Sequence, residues 1–478
     1  MQNVAVALLS LSQPDSQPSL DKNPQKRIAV PETADWTTPL KQSLLFYQAQ
    51  RSGKLPDKDV PWRTSAFLND RTTDGIDMTG GFFDAGDYVH FMLPQATTLT
   101  ALASGLLVFE SGYKTAGQLR QARKVVAWGA DFLAKCVISP TRLVAQVGNG
   151  QADHATWTRP DEIKEPYPVY ELNPTKPGSD LAGSYAAALA ASSAAFRQAG
   201  DTQRASLYLR KARMALEFGI KYPGRYSASL TDPENFYQST SHWDDLALGA
   251  MMLYHVTKEQ RYLDLGKLYF RRHMDEEQGV YRPPANDWDN QQYMAAALLV
   301  KYAPFDLVEQ SLTRFQSSWM NVIMPVQKTP KGFLWLDKWG ASRHNQNAMF
   351  LMIYAAHLTR DTKQIGRAVC LARSQVRYLL GSTTGQSFVV GRGPSWPKQP
   401  HHRAASCPLA PTPCGWDYFN SPKPNPQVLL GALVGGPGLN DEFEDERSDY
   451  IKNEVAIDYN SGYTGVLAAL LKYGGLCG

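Results

Sequence analysis

Apolar residues return at every third or fourth position along most of this chain, the spacing that lays a hydrophobic stripe down one side of an α-helix. The striped segments come in pairs joined by short turns: 94–111 with 115–136, 180–199 with a partner ending near Gly219, 244–256 with 260–273, 289–302 with 307–320, and 344–359 with 363–380. A first helix near 40–50 and a last near 459–473 bring the number to about twelve. The Ala-rich segment 180–199 follows Pro177-Gly178, which places Ser179 to cap it, and Gly200-Asp201 ends it. Period-two alternation is brief, as in Ser387-Phe388-Val389-Val390. The pattern predicts an all-α protein built from helical hairpins.

Such hairpins stack either into an open solenoid or into a closed ring. A solenoid should repeat with a fixed period, and here the spacing is irregular with no recurring motif. The connections 62–90, 140–178, 221–242, 323–343 and 381–458 are long and rich in Trp, Tyr, His, Asp and Glu. Long loops on a regular scaffold are where binding and catalysis concentrate. A closed double ring with its site on the loop-bearing face is the expected architecture. Residues 4–11 are apolar with no Lys or Arg before them, and read equally as the centre of a secretory signal or as a plain leader. Gln13 to Lys26 is rich in Ser, Pro, Gln and Asp. Residues 1–34 are therefore expected to form a leader and flexible tail, and 35–478 a single domain.

With 49 Lys plus Arg against 45 Asp plus Glu the formal charge is +4, and no long basic run occurs, which argues against nucleic acid as a partner. Apolar stretches all fall short of the roughly 18 residues a membrane-spanning helix needs. The 11 Trp, 23 Tyr and 18 Phe supply flat faces that can stack on sugars. Cys407 and Cys414 lie seven positions apart in a Pro-rich loop, where a local disulfide suits an oxidising compartment. A zinc site there would want a second pair, such as His401 and His402. Cys136 and Cys370 fall in apolar helical patterns and read as buried thiols.

Three clusters carry candidate chemistry. Asp74, Asp77, Asp84 and Asp87 fall within fourteen residues broken by Gly80, Gly81 and Gly86. The spacing lacks the alternating acids of an EF-hand, but the glycines allow a tight turn that could aim Asp84 and Asp87 inward together. Two close carboxyls split their proton affinities, so one can act as a base while the other orients it. The bland alternative is a solvated acidic turn ahead of the helix near Pro94. The second cluster runs from Asn440 to Glu454, an acidic stretch interleaved with Phe443 and Tyr450. Glu454 sits in an apolar setting, where burial raises a carboxyl into the range of a general acid. The third is Pro400-His401-His402-Arg403; neighbours on an extended segment diverge, so the two His do not suit one ion. There is no phosphate loop, dinucleotide fingerprint or Gly-x-Ser-x-Gly elbow. Carboxyls on opposite walls of an aromatic cleft suit glycosidic hydrolysis, one protonating the leaving oxygen while the other activates water.

The box Gly80-Gly81-Phe82-Phe83-Asp84-Ala85-Gly86-Asp87 resembles that of glycoside hydrolase family 9. Phe443-x-Asp445-x4-Tyr450-x3-Glu454-x-Ala456-x3-Asn460-Ser461 is similar to the family's C-terminal signature at every specified position. Ser387 through Arg403 resembles its other signature, departing at Ser395, where Asn, Lys or Arg is usual. The similarity runs from about Lys41 to Tyr473, and animal cellulases of termite type share Gln-Ala-Gln-Arg-Ser-Gly at 48–53. The resemblance implies an (α/α)6 barrel that cuts internal β-1,4-glucosidic bonds of cellulose and related β-glucans with inversion. The expected protein is secreted, with no cofactor in its chemistry and no appended carbohydrate-binding module, and a monomer is the simpler expectation. Mixed-linkage glucan, chitosan or short cello-oligosaccharides are alternative substrates, and a non-catalytic glycan-binding protein is the alternative function.

By the same resemblance the catalytic set is Asp87 as general base, Asp84 as its partner on the attacking water, Glu454 as general acid, His401 beside the cleaved sugar and Asp445 supporting the C-terminal motif. Sugar contacts fall on Arg403, His154, Trp157, Trp339, Arg343 and Tyr459. A structural calcium ion would take Thr240, Ser241, Asp244, Asp245 and Asp289, with Asp245 standing where the longer Glu is common.

Overall fold

The computed structural model describes residues 35–56, 58–276, 284–321, 325–393 and 395–477, so the expected leader at 1–34 lies outside the described residues. Its long helices are α1 (Thr37–Ala49), α2 (Met92–Val108), α3 (Leu119–Cys136), α4 (Ser179–Gln198), α5 (Thr202–Lys221) and α6 (Trp243–Thr257). They continue with α7 (Gln260–Glu276), α8 (Gln292–Tyr302), α9 (Asp306–Trp319), α10 (Ala341–Thr359), α11 (Thr362–Leu379) and α12 (Ile457–Tyr473).

Helices α3, α5, α7, α9 and α11 bury one stripe and leave the opposite face to water. The even-numbered helices are different. Each buries nearly all of its residues, polar ones included, because it has neighbours on every side. Packing runs α2 to α4, α4 to α6, α6 to α8, α8 to α10, α10 to α12 and back from α12 to α2, which closes an inner ring. Each odd helix lies against that ring, with α1 on α12. Small residues let the inner helices approach: a Cβ at Gly183 of α4 would stand 2.4 Å from the Asp245 carbonyl carbon of α6. The ring is stitched shut between the two ends of the domain, where Ser43 and Thr464 share a hydrogen bond of 2.5 Å and the Tyr47 hydroxyl donates to the Ile457 carbonyl at 2.8 Å.

The structure departs from the sequence expectations in four places. Ser179 is the first helical residue, not the cap; its hydroxyl donates to the Gly219 carbonyl, tying α4 to the end of α5. Ser387–Val390 forms no strand, only an isolated bridge at Val389, with another just ahead of it at Gln386. The connection 140–178 holds a small antiparallel sheet in which β3 (Arg142–Val147) pairs with β1 (His90–Phe91), β2 (Val137–Ser139) and β4 (Val169–Leu172). Residues 143–147 of β3 are buried throughout, Gln146 included, so the strand shows none of the in–out alternation that would have marked it. Finally, Cys370 is not a buried thiol. It bonds to Cys477, tethering α11 to the end of the chain, while Cys407 bonds to Cys414 and Cys136 remains a buried thiol. Both loop cysteines are thereby removed as zinc ligands. Among the described residues no helix is long and apolar enough to cross a membrane.

Candidate active site

Three segments far apart in sequence meet at one end of the ring. The turn 84–87 is hung from α1: the Gln50 carbonyl accepts from Phe83 N at 2.8 Å, and Gln50 Nε2 donates to the Ala85 carbonyl at 2.6 Å. The same turn accepts from residues further along the chain, with Ile457 N donating to the Asp84 carbonyl at 2.9 Å and Arg403 N to the Gly86 carbonyl at 3.1 Å. His401 N in turn reaches the Asn453 carbonyl at 2.9 Å. A Cβ at Gly86 would sit 2.5 Å from the His401 carbonyl oxygen, so only glycine permits this approach. Asp84, Asp87, His401, Arg403 and Glu454 consequently line a single cleft of about 800 Å³.

The two aspartates are held in opposite states. Asp84 is 2% exposed, and burial, reinforced by the Asp87 charge, pushes its carboxyl well above the usual range; the Tyr237 hydroxyl donates to Oδ2. For Asp87, burial also opposes the anion, but it is outweighed together by the His154 ring at 3.3 Å, the charges of His154 and Arg403, and the Ala85 amide at 3.2 Å. Asp87 is therefore held below the usual carboxylate range and Asp84 above it, so a proton shared by the pair favours Asp84.

Glu454 follows the opposite logic to Asp87. Burial raises its carboxyl, only partly offset by hydrogen bonds from Trp339 Nε1 at 2.9 Å and the Tyr459 hydroxyl at 2.7 Å, both to Oε2. Arg343 pairs with Asp458 at 3.2 Å and lies over the Tyr459 ring, fixing that donor in place.

The remaining expected residues divide. His401 lines the cleft; its Nδ1 meets the Arg447 carbonyl at 2.7 Å, so Nδ1 carries the proton and Nε2 is left to accept. His402 turns the other way onto Gln50 at 2.8 Å, as expected of an adjacent residue. His154, Trp157, Trp339, Arg343 and Tyr459 all line the cleft. Arg403 does too, but its guanidinium is occupied by Asp153 and by the Asp153 and Thr156 carbonyls at 2.8 and 3.0 Å, so it braces the wall. Trp157 is nearly buried, its indole N–H donating to Ser406 at 2.8 Å. Asp445, grouped with the catalytic acids, is not in the cleft lining: it accepts from the Lys398 and Gln399 amides at 2.6 and 3.0 Å and so anchors the segment that leads to His401. Tyr237, Trp288, Trp416, Phe419 and Tyr450 also line the cleft and were not foreseen. They lie in loops or, for Trp416 and Phe419, in a single helical turn, too short for periodicity to carry a signal; aromatic content is the only pointer.

The five expected calcium ligands lie around the start of α6. Asp289 accepts from the Thr240 amide at 2.7 Å and hydroxyl at 2.6 Å, Asp244 from Gln291 N at 2.8 Å and Asp245 from Ser184 at 2.6 Å. The Ser241 hydroxyl donates to Glu276 at 2.9 Å. Burial pushes Asp289 up to about 7 and Asp245 well above the usual range, with the Asp244 charge adding to both, and Asp244 Oδ1 is buried without a hydrogen bond. Two hydroxyls and three carboxyls make an all-oxygen set that fits a hard divalent cation in its donor chemistry. The carboxyls are not gathered tightly: among the described residues, only Asp87, Asp153 and His154 bring three such groups within 4.8 Å of one another.

A helical double ring with carboxyls of opposed proton affinity in an aromatic cleft is the build of a glycoside hydrolase. The family model described as Glycosyl hydrolase family 9 matches residues 36–467, and the chain belongs to that family. It is 37% identical over 463 residues to endoglucanase 14 of Arabidopsis thaliana, covering 90% of this chain and 92% of that protein. It is 36% identical to an endoglucanase of Dictyostelium discoideum, spanning 91% of this chain but 61% of that longer protein. The solved endoglucanase of the termite Nasutitermes takasagoensis superposes with a TM-score of 0.86 at 43% identity, covering 92% of this chain and all of that one. These neighbours share the (α/α)6 barrel.

Proposed function

We propose that the protein is an endo-β-1,4-glucanase that hydrolyses cellulose and related β-glucans with inversion at the anomeric carbon. The observation that carries this reading is the meeting of Asp87 and Glu454, from opposite ends of the domain, on one aromatic cleft with opposed proton affinities. The endoglucanase relatives support it, and an endoglucanase of Clostridium thermocellum solved with cellotriose resembles this chain with a TM-score of 0.79 at 31% identity. Glu454 donates its proton to the leaving glycosidic oxygen as the bond to the anomeric carbon breaks. Asp87 takes the proton of the water that attacks from the other face, with Asp84 and its Tyr237 donor holding that water and the base in line. His154 and Arg403 keep Asp87 ionised, and His401 offers Nε2 to a sugar hydroxyl. Two disulfides support an extracellular setting.

The test is product analysis on soluble β-glucan with the anomers followed by NMR. The α-anomer should form first and the β-anomer only by later mutarotation; a first-formed β-anomer would exclude inversion. We further propose that Thr240, Ser241, Asp244, Asp245 and Asp289 hold a calcium ion that relieves the repulsion among their carboxyls. Chelation should then lower Tm by about 2–4 °C, with calcium restoring it and magnesium failing to, as read by calorimetry.

A further inference from the structure

Both donors to Glu454 act on the same oxygen, yet they are held very differently. Tyr459 is 2% exposed, lies on α12 and is packed so closely against Gly340 that a Cβ there would stand 2.9 Å from its ring. Trp339 stands just ahead of α10, is 42% exposed, lines the cleft and rests beside the half-exposed Tyr450 ring at 5.5 Å. The indole that offers its face to a sugar is thus the same group whose N–H holds the Glu454 anion.

We propose that Trp339 couples sugar binding to proton loading of Glu454: a sugar seated on the indole draws its N–H away from Oε2, and the carboxyl takes up from water the proton it then gives to the glycosidic oxygen. The inference rests on the reading of Glu454 as general acid and Trp339 as a sugar contact. Removing one of two donors from a carboxylate raises its proton affinity. The other groups facing Glu454 stay in place. Asp458 and Arg343 oppose each other as an ion pair at 3.2 Å, Tyr459 keeps its bond, Asp84 and Tyr237 act on it only through their charge, and the His401 backbone stays bridged to that of Glu454. When the product leaves, the carboxylate regains the indole N–H.

The test compares pH profiles on a soluble cello-oligosaccharide, since kcat/KM reports the free enzyme and kcat the complex. In the wild type the alkaline limb of kcat should lie about one pH unit above that of kcat/KM. Trp339→Phe keeps a ring but has no donor, so its kcat/KM limb should rise to meet the kcat limb. Trp339→Ala should shift the limb equally and raise KM as well. Coincident limbs in the wild type, or an unmoved limb in Trp339→Phe, would overturn the coupling. A purely structural role would lower the rate equally at every pH. If instead the alkaline limb persists unchanged in Glu454→Gln, the failure lies with the acid assignment and not with Trp339.

Discussion

Glu454→Gln is expected to slow reducing-end release from carboxymethylcellulose by about 10³-fold while leaving the fold intact. The amide oxygen can still accept from Trp339 and Tyr459, so the local hydrogen bonds survive, but the proton is gone. Stability should not suffer. A carboxyl raised above its unfolded value costs the fold as pH climbs through the ordinary carboxylate range, a cost fully present above the folded pKa. A neutral amide avoids it, so Tm at pH 7 should equal or exceed that of the wild type. The same sign governs activity: rate is lost as pH rises through the elevated Glu454 pKa, and as pH falls through the depressed Asp87 pKa. The working range therefore extends beyond the ordinary carboxylate range on both sides. Leaving-group chemistry sharpens the assignment. An aryl cellobioside whose phenolate departs without protonation should be cleaved by Glu454→Gln at close to the wild-type rate. Equal losses on both substrates would remove Glu454 from the role of acid.

The helices of this domain were legible because their periodicity is local. Even the division into rings is written in the chain: the Ala-rich α4 is apolar on every side and so inner, whereas α3 and α11 carry one stripe and so are outer. Asp84, Asp87 and Glu454 stood out as carboxyls among glycines and apolar residues, and the cleft brings them together. What escaped depends on long-range pairing. Tyr237 donates to Asp84 across 153 positions, and Cys370 meets Cys477 across 107. Neither partner's local sequence announces the other. The resemblance to family motifs places Asp445 and Arg403 near the chemistry; Arg403 does line the cleft, but its hydrogen bonds go to the wall and to Asp153, while those of Asp445 hold the backbone ahead of His401 from outside the cleft. A motif preserves residues that build a site together with those that touch substrate, and sequence alone does not separate the two.

That separation is what Asp87→Asn tests. The substitution keeps size and the contact to the Ala85 amide, yet leaves no base for the attacking water. Loss of about 10³-fold or more is expected on carboxymethylcellulose and, unlike Glu454→Gln, equally on the aryl cellobioside, because water must still be activated however good the leaving group is. The effect on stability should also differ in sign. Asp87 is held below its unfolded value, so its ionised form contributes stability above the ordinary carboxylate range that is lost as pH falls through the folded pKa. Asp87→Asn removes that contribution and leaves His154 and Arg403 with one counter-charge fewer, so Tm should drop at pH 7 and converge on the wild type in acid. Asp84 supplies the control. Burial and the Asp87 charge push its carboxyl well above the usual range, so Asp84→Asn should cost less stability at pH 7 than Asp87→Asn and reduce the rate less. If Asp84→Asn proves the more damaging of the two, the base is Asp84 and the proton of the pair resides on Asp87.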